Sequence, residues 1–425
     1  MIESKKTTGR YRFDEFFISI MGYGILKDFH DFKKWTIVQK FSFLHEYIHF
    51  FQNIYTYYGL NIFFLSIDNS WSFRRFIGKE IVVPFRQSPS EHCEELVTWI
   101  FTQGDTTGVK KVISYRIENV KNGLGVVWVR CFNYDDEEVE IKFGSRHIDE
   151  GMACLIQESI YPEIKGGAPF NPYYIASELA DMIIPGISEN KYIMVALFDH
   201  ALHFNNPAYY FVKYLEKKRK EGYSRTSLTC DRVYDEIGYL PTNHILTVNE
   251  FLKEVDDIFE YSDSADRTRE WFNTIIKRSM NIRMNRPRIF IELMQGGDIS
   301  NNDTFMYLLD ELGTPIVTNE NKDYCFLPPR NTSITETDLI SFYAMLQINK
   351  VFYSKGRYSC PLIDYCKKKL SAYVDERCET YPWLQPQRFR KCFFSDCWER
   401  FGLKGVRIIG EESKQQADAG HRLHP

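Results

Sequence analysis

The stretch His45-Glu46-Tyr47-Ile48-His49 decides the fold of this chain, because it lies inside a segment with strong helical periodicity. Apolar residues recur there every three or four positions: Ile37, Phe41, Leu44, Ile48, Phe51 and Tyr55. We predict a helix from about Asp31, its N-cap, to Gly59, just past its end. Residues four apart share a helix face, so both imidazoles can reach one metal ion. The structural alternative is a histidine pair packed under a loop.

A catalytic zinc site needs a third protein ligand, and Glu150 is the best candidate. It lies in a second predicted helix, for which Ser145 is a plausible N-cap. Small residues follow it at Gly151 and Ala153, which suits the close approach of another backbone. One alternative is that Glu158 or His147 is the third ligand. The other is that Glu150 binds no metal and is only an acidic residue that the helix dipole favours near the N-terminus.

The segment HEYIH followed by EGMA resembles the gluzincin branch of the HExxH zinc metallopeptidases, over about 130 residues from 31 to 162. The resemblance implies a zincin-like core, in which His45, His49 and Glu150 bind zinc and Glu46 is the general base. Two features depart from the family pattern. The two helices are about 100 residues apart, and Cys154 stands where several members carry an acid that orients a histidine.

Composition favours a soluble globular protein of the α+β class that is mainly helical. Of the 425 residues, 44% are hydrophobic and 26% are charged, and the net charge of −4 gives no argument for nucleic-acid binding. We see no secretory signal in residues 1–12 and no apolar run long enough to span a membrane. Ten cysteines without such a signal indicate a reducing compartment, so we predict a cytoplasmic protein without a membrane partner.

A β-meander is predicted between the two helices, at about 110–143, with strands at 111–120, 126–133 and 137–143. Its last strand either offers an edge to an extended substrate or only braces the helices. The apolar run 60–67 is interpreted as a buried strand. After residue 162 we predict one or two strands within 314–327 and helices at 171–184, 190–203, 206–221, 248–260, 264–284 and 335–353.

The chain is predicted to divide into four segments. Residues 1–260 form the metallopeptidase region, and 261–355 form a helical extension that offers a surface for a protein partner. Residues 356–409 form a cysteine-rich module, and the polar tail 410–425 is predicted to be disordered. The basic stretches 217–220 and 277–288 are interpreted as solvated helix faces, or as docking sites for an acidic partner.

Five cysteines of the third segment are candidates for a second, structural zinc site: Cys360, Cys366, Cys378, Cys392 and Cys397. Four thiolates among the five could close a tetrahedral site, and an iron–sulfur cluster also takes four thiolates. Their spacing matches no standard pair of CxxC motifs, so ordinary packed thiols remain an equal alternative.

The sequence therefore predicts a zinc metallopeptidase that hydrolyses a peptide or protein substrate, with Glu46 as general base. Two alternatives stay open: a non-catalytic interaction protein with structural zinc sites, and a zinc hydrolase of non-peptide amides. The oxyanion-stabilising group is not identified by any motif. His200, His203 and Tyr209 are candidates, with Asp199 beside the histidine pair.

Overall fold

The computed structural model describes most of the chain. The described residues are 9–12, 16–20, 31–72, 78–83, 103–119, 125–164, 168–237, 248–250, 252–253, 256, 266–354, 358–369, 374–383, 392–400 and 402–410. Buried apolar side chains from the whole of this part of the chain belong to one hydrophobic cluster.

Helices dominate the described residues. In chain order they are α1 (Ile37–Tyr55), α2 (Tyr57–Ser72), α3 (Ser145–Ile160), α4 (Phe170–Tyr173), α5 (Ile175–Ile183), α6 (Lys191–Ala201), α7 (Pro207–Lys220), α8 (Cys230–Ile237), α9 (Asp266–Asn285), α10 (Ile289–Gln295), α11 (Asp303–Leu312), α12 (Glu336–Tyr353), α13 (Ile363–Lys369), α14 (Glu376–Thr380) and α15 (Phe393–Arg400). None of these described helices combines the length and the apolar character that crossing a lipid bilayer requires.

The strands form small sheets. They are β1 (Gly9–Arg12), β2 (Phe17–Ile20), β3 (Glu80–Val83), β4 (Val109–Asn119), β5 (Gly125–Asn133), β6 (Glu138–Phe143), β7 (Ile316–Thr318), β8 (Tyr324–Cys325) and β9 (Arg407–Gly410). One sheet has the order β1-β2-β7-β8, a second pairs β3 with β9 in parallel, and the third is the antiparallel meander β4-β5-β6. The α+β class is therefore confirmed.

Helix α1, which carries the two motif histidines, begins at a capping box. The Gln39 backbone N–H donates to Thr36 Oγ1 at 3.3 Å, and the Thr36 N–H donates to Gln39 Oε1 at 2.9 Å. The predicted start at Asp31 is wrong, because Asp31 instead precedes a 3₁₀ turn at Phe32–Lys34. The central periodic pattern of the helix is confirmed.

Helix α2 follows α1 almost directly, and Gly59 lies inside it. A Cβ at Gly59 would lie 2.4 Å from the Gln52 carbonyl oxygen and 2.6 Å from Asn53 Cα. Glycine is therefore needed for the two helix backbones to meet, and it does not end α1. The predicted strand at 60–67 is also wrong, because this apolar run is helical. A short apolar run without clear periodicity fits either a buried strand or a buried helix.

Helix α3, which carries Glu150, packs against α1 and α6. Its N-cap is Gly144, and the predicted cap Ser145 is the first helical residue. The expected close approach occurs at Gly151, where a Cβ would lie 3.3 Å from the Tyr173 carbonyl oxygen. The neighbouring backbone is thus α4 and not the histidine helix α1.

The meander β4-β5-β6 is confirmed at close to its predicted bounds, and it braces helices. The Val112 N–H donates to Glu178 of α5, and Asn206 at the start of α7 donates to the Gly125 carbonyl. The outer edge of β6 is partly covered, because the Asp105 N–H donates to the Lys142 carbonyl at 2.9 Å. These contacts favour the bracing interpretation of the meander.

The helices predicted after residue 162 correspond to α5, α6, α7, α9 and α12, and the strands within 314–327 correspond to β7 and β8. The predicted helix 248–260 and the predicted disordered tail lie largely outside the described residues. Strand pairs cross the predicted segment boundaries, since β2 pairs with β7 and β3 with β9. The division into four segments stays a prediction.

Candidate metal centre

Three predicted ligand atoms meet between α1 and α3. His45 Nε2 and His49 Nε2 lie 3.1 Å apart, and Glu150 Oε2 lies 3.2 Å from the first and 3.3 Å from the second. Among the described residues, this is the set of three or more potential ligands whose atoms all lie within 4.8 Å of one another. The spacing of four on α1 puts both rings on one face, and the packing of α3 supplies the carboxylate.

Two glutamines fix the proton positions of the histidines. Gln157 accepts at Oε1 from His45 Nδ1 at 3.1 Å, while its Nε2 donates to the Phe41 carbonyl at 2.7 Å. Gln52 likewise accepts from His49 Nδ1 at 2.8 Å and donates to the Asp149 carbonyl at 3.1 Å. Because each amide nitrogen already faces a carbonyl, each Oε1 can only accept, so each histidine is protonated at Nδ1.

This arrangement leaves electron pairs facing one another. With Nδ1 protonated in both neutral imidazoles, both Nε2 atoms and the Glu150 carboxylate point lone pairs at a common centre. Only a cation or an extra proton between them removes the repulsion. Two imidazole nitrogens and a carboxylate oxygen are a donor set that zinc takes in catalytic sites, so the residues present fit the implied metal.

The electrostatics of the pair His49–Glu150 also favour a cation. Burial lowers the pKa of His49, but the surrounding carboxylates, Glu150 foremost and then Glu46 and Asp149, more than compensate and raise it to about 9. Burial raises the pKa of Glu150, yet the two histidines hold it well below its usual range. Without a metal, a proton on His49 therefore provides the positive charge that the centre requires.

Glu46 lies beside this centre, beneath strand β1. Its side chain is buried, and the backbone N–H of Tyr11 donates to it. A Cβ at Gly9 would lie only 2.7 Å from Glu46 Oε1, so the strand can pass this close only because residue 9 is glycine. Burial raises the pKa of Glu46, while His45 and His49 lower it. A carboxylate with a raised pKa is suited to accept a proton near neutral pH.

The centre opens into a cavity of about 530 Å³. Both motif histidines, Glu46 and Glu150 line it, together with residues of β1 and the phenol-bearing Tyr173 of α4. The Tyr173 ring centroid lies 5.9 Å from that of His45, and the charges of Glu150 and Glu46 act on its hydroxyl. Tyr173 is thus a hydrogen-bond donor of the cavity that the sequence motifs did not reveal.

The alternative third ligands lie elsewhere. His147 Nδ1 accepts from the Gly144 N–H at 3.0 Å, inside its own helix cap, and burial lowers its pKa to about 4. Glu158 accepts from the Tyr174 hydroxyl at 2.5 Å. Cys154 is buried on α3 and does not line the cavity; the orienting contacts of the histidines come from Gln157 and Gln52.

The three oxyanion candidates named from the sequence do not line the cavity. The His203 ring faces the buried carboxylate of Asp199, with 3.4 Å between Nε2 and Oδ1. His200 packs against Tyr214, with 4.3 Å between ring centroids, and Tyr209 packs under Gly125. The histidine pair therefore belongs to the helix packing around α6 and not to the cavity.

The two basic stretches are only partly solvated. Lys218 is buried and pairs with Glu221 at 3.0 Å and Glu236 at 2.7 Å, whereas its neighbours in 217–220 are exposed. Arg283, within 277–288, is buried against Asp199, with 2.7 Å between Nη1 and Oδ2. At least one cation of each stretch thus holds helices together.

The five cysteines of the predicted module separate into four and one. Cys360, Cys366 and Cys378 are buried and Cys392 is partly buried, and the four occupy one region after α12. Cys397 instead faces the Ser341 carbonyl of α12, at 3.3 Å from Sγ. Among the described residues, no three of these sulfur atoms lie within 4.8 Å of one another, so the structure does not bring them together around one ion, and the structural zinc site stays a prediction.

No protein-family model, no curated protein and no solved structure matches this chain. The assignment of a function therefore depends on the chemistry of the centre, and the resemblance to gluzincins stays a prediction.

Proposed function

We propose that this chain is a zinc-dependent metallopeptidase whose centre is formed by His45, His49 and Glu150, with Glu46 as the general base. One observation carries the proposal. Two histidines whose Nδ1 protons are held by glutamines turn both Nε2 atoms toward a carboxylate oxygen, at 3.2 and 3.3 Å, beside a buried glutamate in a cavity. A set of three protein ligands also suits a catalytic zinc, because structural zinc sites are closed by a fourth.

Each residue has a role set by its position. A zinc ion held by the three ligands supplies Lewis-acid chemistry, which polarises a carbonyl and lowers the pKa of a water molecule. Glu46 takes the proton of the attacking water and delivers it to the nitrogen of the leaving amine. The Tyr11 N–H and the close passage of Gly9 hold the Glu46 carboxylate in place for both transfers.

Tyr173 provides the oxyanion partner in this proposal. Tyr173 lines the cavity, and burial, together with the nearby carboxylates Glu150 and Glu46, raises its pKa, so the phenol stays protonated. A protonated phenol donates a hydrogen bond to an oxygen that gains negative charge in the transition state. Tyr173 therefore replaces the three oxyanion candidates from the sequence, because the cavity is lined by Tyr173 and not by His200, His203 or Tyr209.

The proposed function is tested with a peptide library and the purified full chain. We expect new amino termini, detected by mass spectrometry, in reactions with zinc-loaded protein. Removal of the metal by a chelator and dialysis should abolish cleavage, and equimolar zinc should restore it. If zinc-loaded protein cleaves no peptide but hydrolyses small acylated amines, the peptidase assignment is wrong and the amide-hydrolase alternative replaces it. Activity that survives complete metal removal would contradict both.

Tyr173→Phe is expected to lower kcat by about 10²–10³-fold, as loss of an oxyanion donor does, with little change in KM. Metal content should stay at the wild-type value, because Tyr173 is not among the three ligands. The matched control is Tyr58→Phe, a cavity tyrosine whose hydroxyl is engaged with Ser145 at 2.5 Å. Equal kcat losses in both variants would remove the specific role of Tyr173.

A further inference from the structure

Two glutamines, Gln52 and Gln157, make reciprocal contacts between α1 and α3 at the candidate metal centre. Gln52 lies on α1, and its amide nitrogen donates to the Asp149 carbonyl of α3 at 3.1 Å. Gln157 lies on α3, and its amide nitrogen donates to the Phe41 carbonyl of α1 at 2.7 Å. Each glutamine therefore ties its own helix to the backbone of the other helix, and the first tie lies directly before the candidate ligand Glu150.

The other end of each glutamine side chain holds a histidine ring. Gln52 Oε1 accepts from His49 Nδ1 at 2.8 Å, and Gln157 Oε1 accepts from His45 Nδ1 at 3.1 Å. An amide has one acceptor oxygen and one donor nitrogen, and both are used here, so each side chain is fixed at two ends. Both glutamines are only 4% exposed, which leaves little room for water to replace these contacts.

Helical spacing places all of these groups on two facing surfaces. His45, His49 and Gln52 are separated by four and three positions, so they share one face of α1. Glu150 and Gln157 are seven positions apart, which is about two turns, so they share one face of α3. The histidine face thus carries one of the glutamines and the carboxylate face carries the other. The two faces are joined through both glutamines, which fixes the rings relative to the carboxylate.

We propose that Gln52 and Gln157 are positioning residues that preorganise His45, His49 and Glu150 and thereby determine the affinity of this set for zinc. The inference rests on the metal centre of the proposed function. A group that accepts from the second ring nitrogen of a metal-bound histidine fixes its tautomer and orientation, and its loss typically weakens metal binding by about 10–100-fold. We expect an effect of this size from each glutamine, because each one holds a different ring.

Both partners of the histidines are uncharged, which has a consequence for the charge of the centre. A carboxylate in the same position would raise the basicity of the imidazole that donates to it. Here Glu150 is the anionic member of the three-ligand set, so a divalent ion keeps a net positive charge together with its ligands. The two amides therefore orient the rings without further reducing the charge that polarises a carbonyl or a water molecule.

The zinc affinity of the full chain, measured by competition with a chromophoric chelator, tests this proposal. We expect Gln52→Met and Gln157→Met each to bind zinc about 10–100-fold more weakly than wild type, because methionine has a similar size but accepts hydrogen bonds only weakly. Gln52→Glu should restore at least the wild-type affinity, because its oxygen again accepts from Nδ1. The matched control is Gln347→Met, which replaces a glutamine of α12 that is 3% exposed and does not line the cavity. Wild-type affinity in both cavity-side methionine variants, or an equal loss in Gln347→Met, would overturn the proposal.

Nitrogen-15 NMR of the histidine rings is a second measurement, and in zinc-loaded wild type it does not depend on the folding of any variant. His45 and His49 should both show a protonated Nδ1 and an Nε2 that is bound to the metal. In Gln52→Met, only the Nδ1 proton of His49 should exchange faster with water, and in Gln157→Met only that of His45. Metal bound at Nδ1 of either ring, or a proton on Nε2 in the zinc-loaded protein, would overturn the proposal.

These measurements separate the role of the glutamines from the proposed function, because neither of them uses activity. If the glutamine variants lose zinc affinity as expected but the zinc-loaded chain cleaves no peptide, the positioning role stands and the peptidase assignment is wrong. If the chain cleaves peptides but Gln52→Met and Gln157→Met keep the wild-type zinc affinity, the positioning role is wrong and the peptidase assignment stands. A wild type that binds no zinc would contradict both.

Discussion

Glu46→Gln should reduce peptide hydrolysis by about 10²–10⁴-fold, the contribution typical of a positioned general base. The amide fills the same volume, and its oxygen still accepts from the Tyr11 N–H, so the fold is expected to persist. It cannot take up the proton of the attacking water. Zinc content should equal that of wild type, because Glu46 is not one of the three ligands. The measurement is kcat/KM on a validated peptide, with metal content determined on the same sample.

Glu158→Gln is the matched control for this variant. Glu158 is also a buried glutamate, but it bonds to the Tyr174 hydroxyl and does not line the cavity. We expect near wild-type activity and zinc content in the control. Wild-type turnover by Glu46→Gln would disprove the general-base role. Loss of zinc in Glu158→Gln would instead return Glu158 to consideration as a ligand.

Replacing Arg283 by methionine should lower the free energy of unfolding by about 3–5 kcal/mol, the cost of leaving a buried charge without its partner. The partner is Asp199, and both side chains are at most 3% exposed. Arg283 also lies over the ring of Tyr55, the last residue of α1, at 4.9 Å. The change therefore weakens the junction of α9 and α6 with the histidine helix. Urea unfolding followed by circular dichroism measures the effect.

Two further variants identify the source of this loss. Arg225→Met breaks the exposed pair with Glu189 and should cost under about 1 kcal/mol. In Arg283→Met/Asp199→Leu both charges are absent, so part of the lost stability should return. A loss in Arg283→Met no larger than in Arg225→Met would show that the buried pair contributes little. Failure of the double variant to recover stability would assign the loss to packing of the arginine side chain.

The sequence predicted the parts of the centre that are encoded locally. His45, Glu46 and His49 are fixed by helical spacing alone, and the sequence around Glu150 carries the second helix pattern. The meander was also predictable, because its strands are rich in β-branched and aromatic residues and are separated by turn residues. The sequence could suggest Glu150 only as a candidate ligand, because its contact with the histidines depends on the packing of α3 on α1.

The parts that the sequence did not reveal depend on tertiary contacts. Gln157 orients His45 from 112 positions away, and a lone glutamine on a helix carries no motif. Tyr173 enters the cavity through the short helix α4, and Gly9 approaches Glu46 from a strand at the start of the chain. Helix α2 was misread as a strand because its apolar residues lack a clear period.

Zinc content of wild type and of His45→Ala/His49→Ala tests the central claim most directly. Both histidine side chains leave the centre in this variant, while Glu150 stays in place. The account predicts that the variant contains one zinc per chain fewer than wild type, with the helical circular dichroism signal retained. A folded variant with the same zinc content as wild type would contradict the assignment of His45 and His49 as metal ligands.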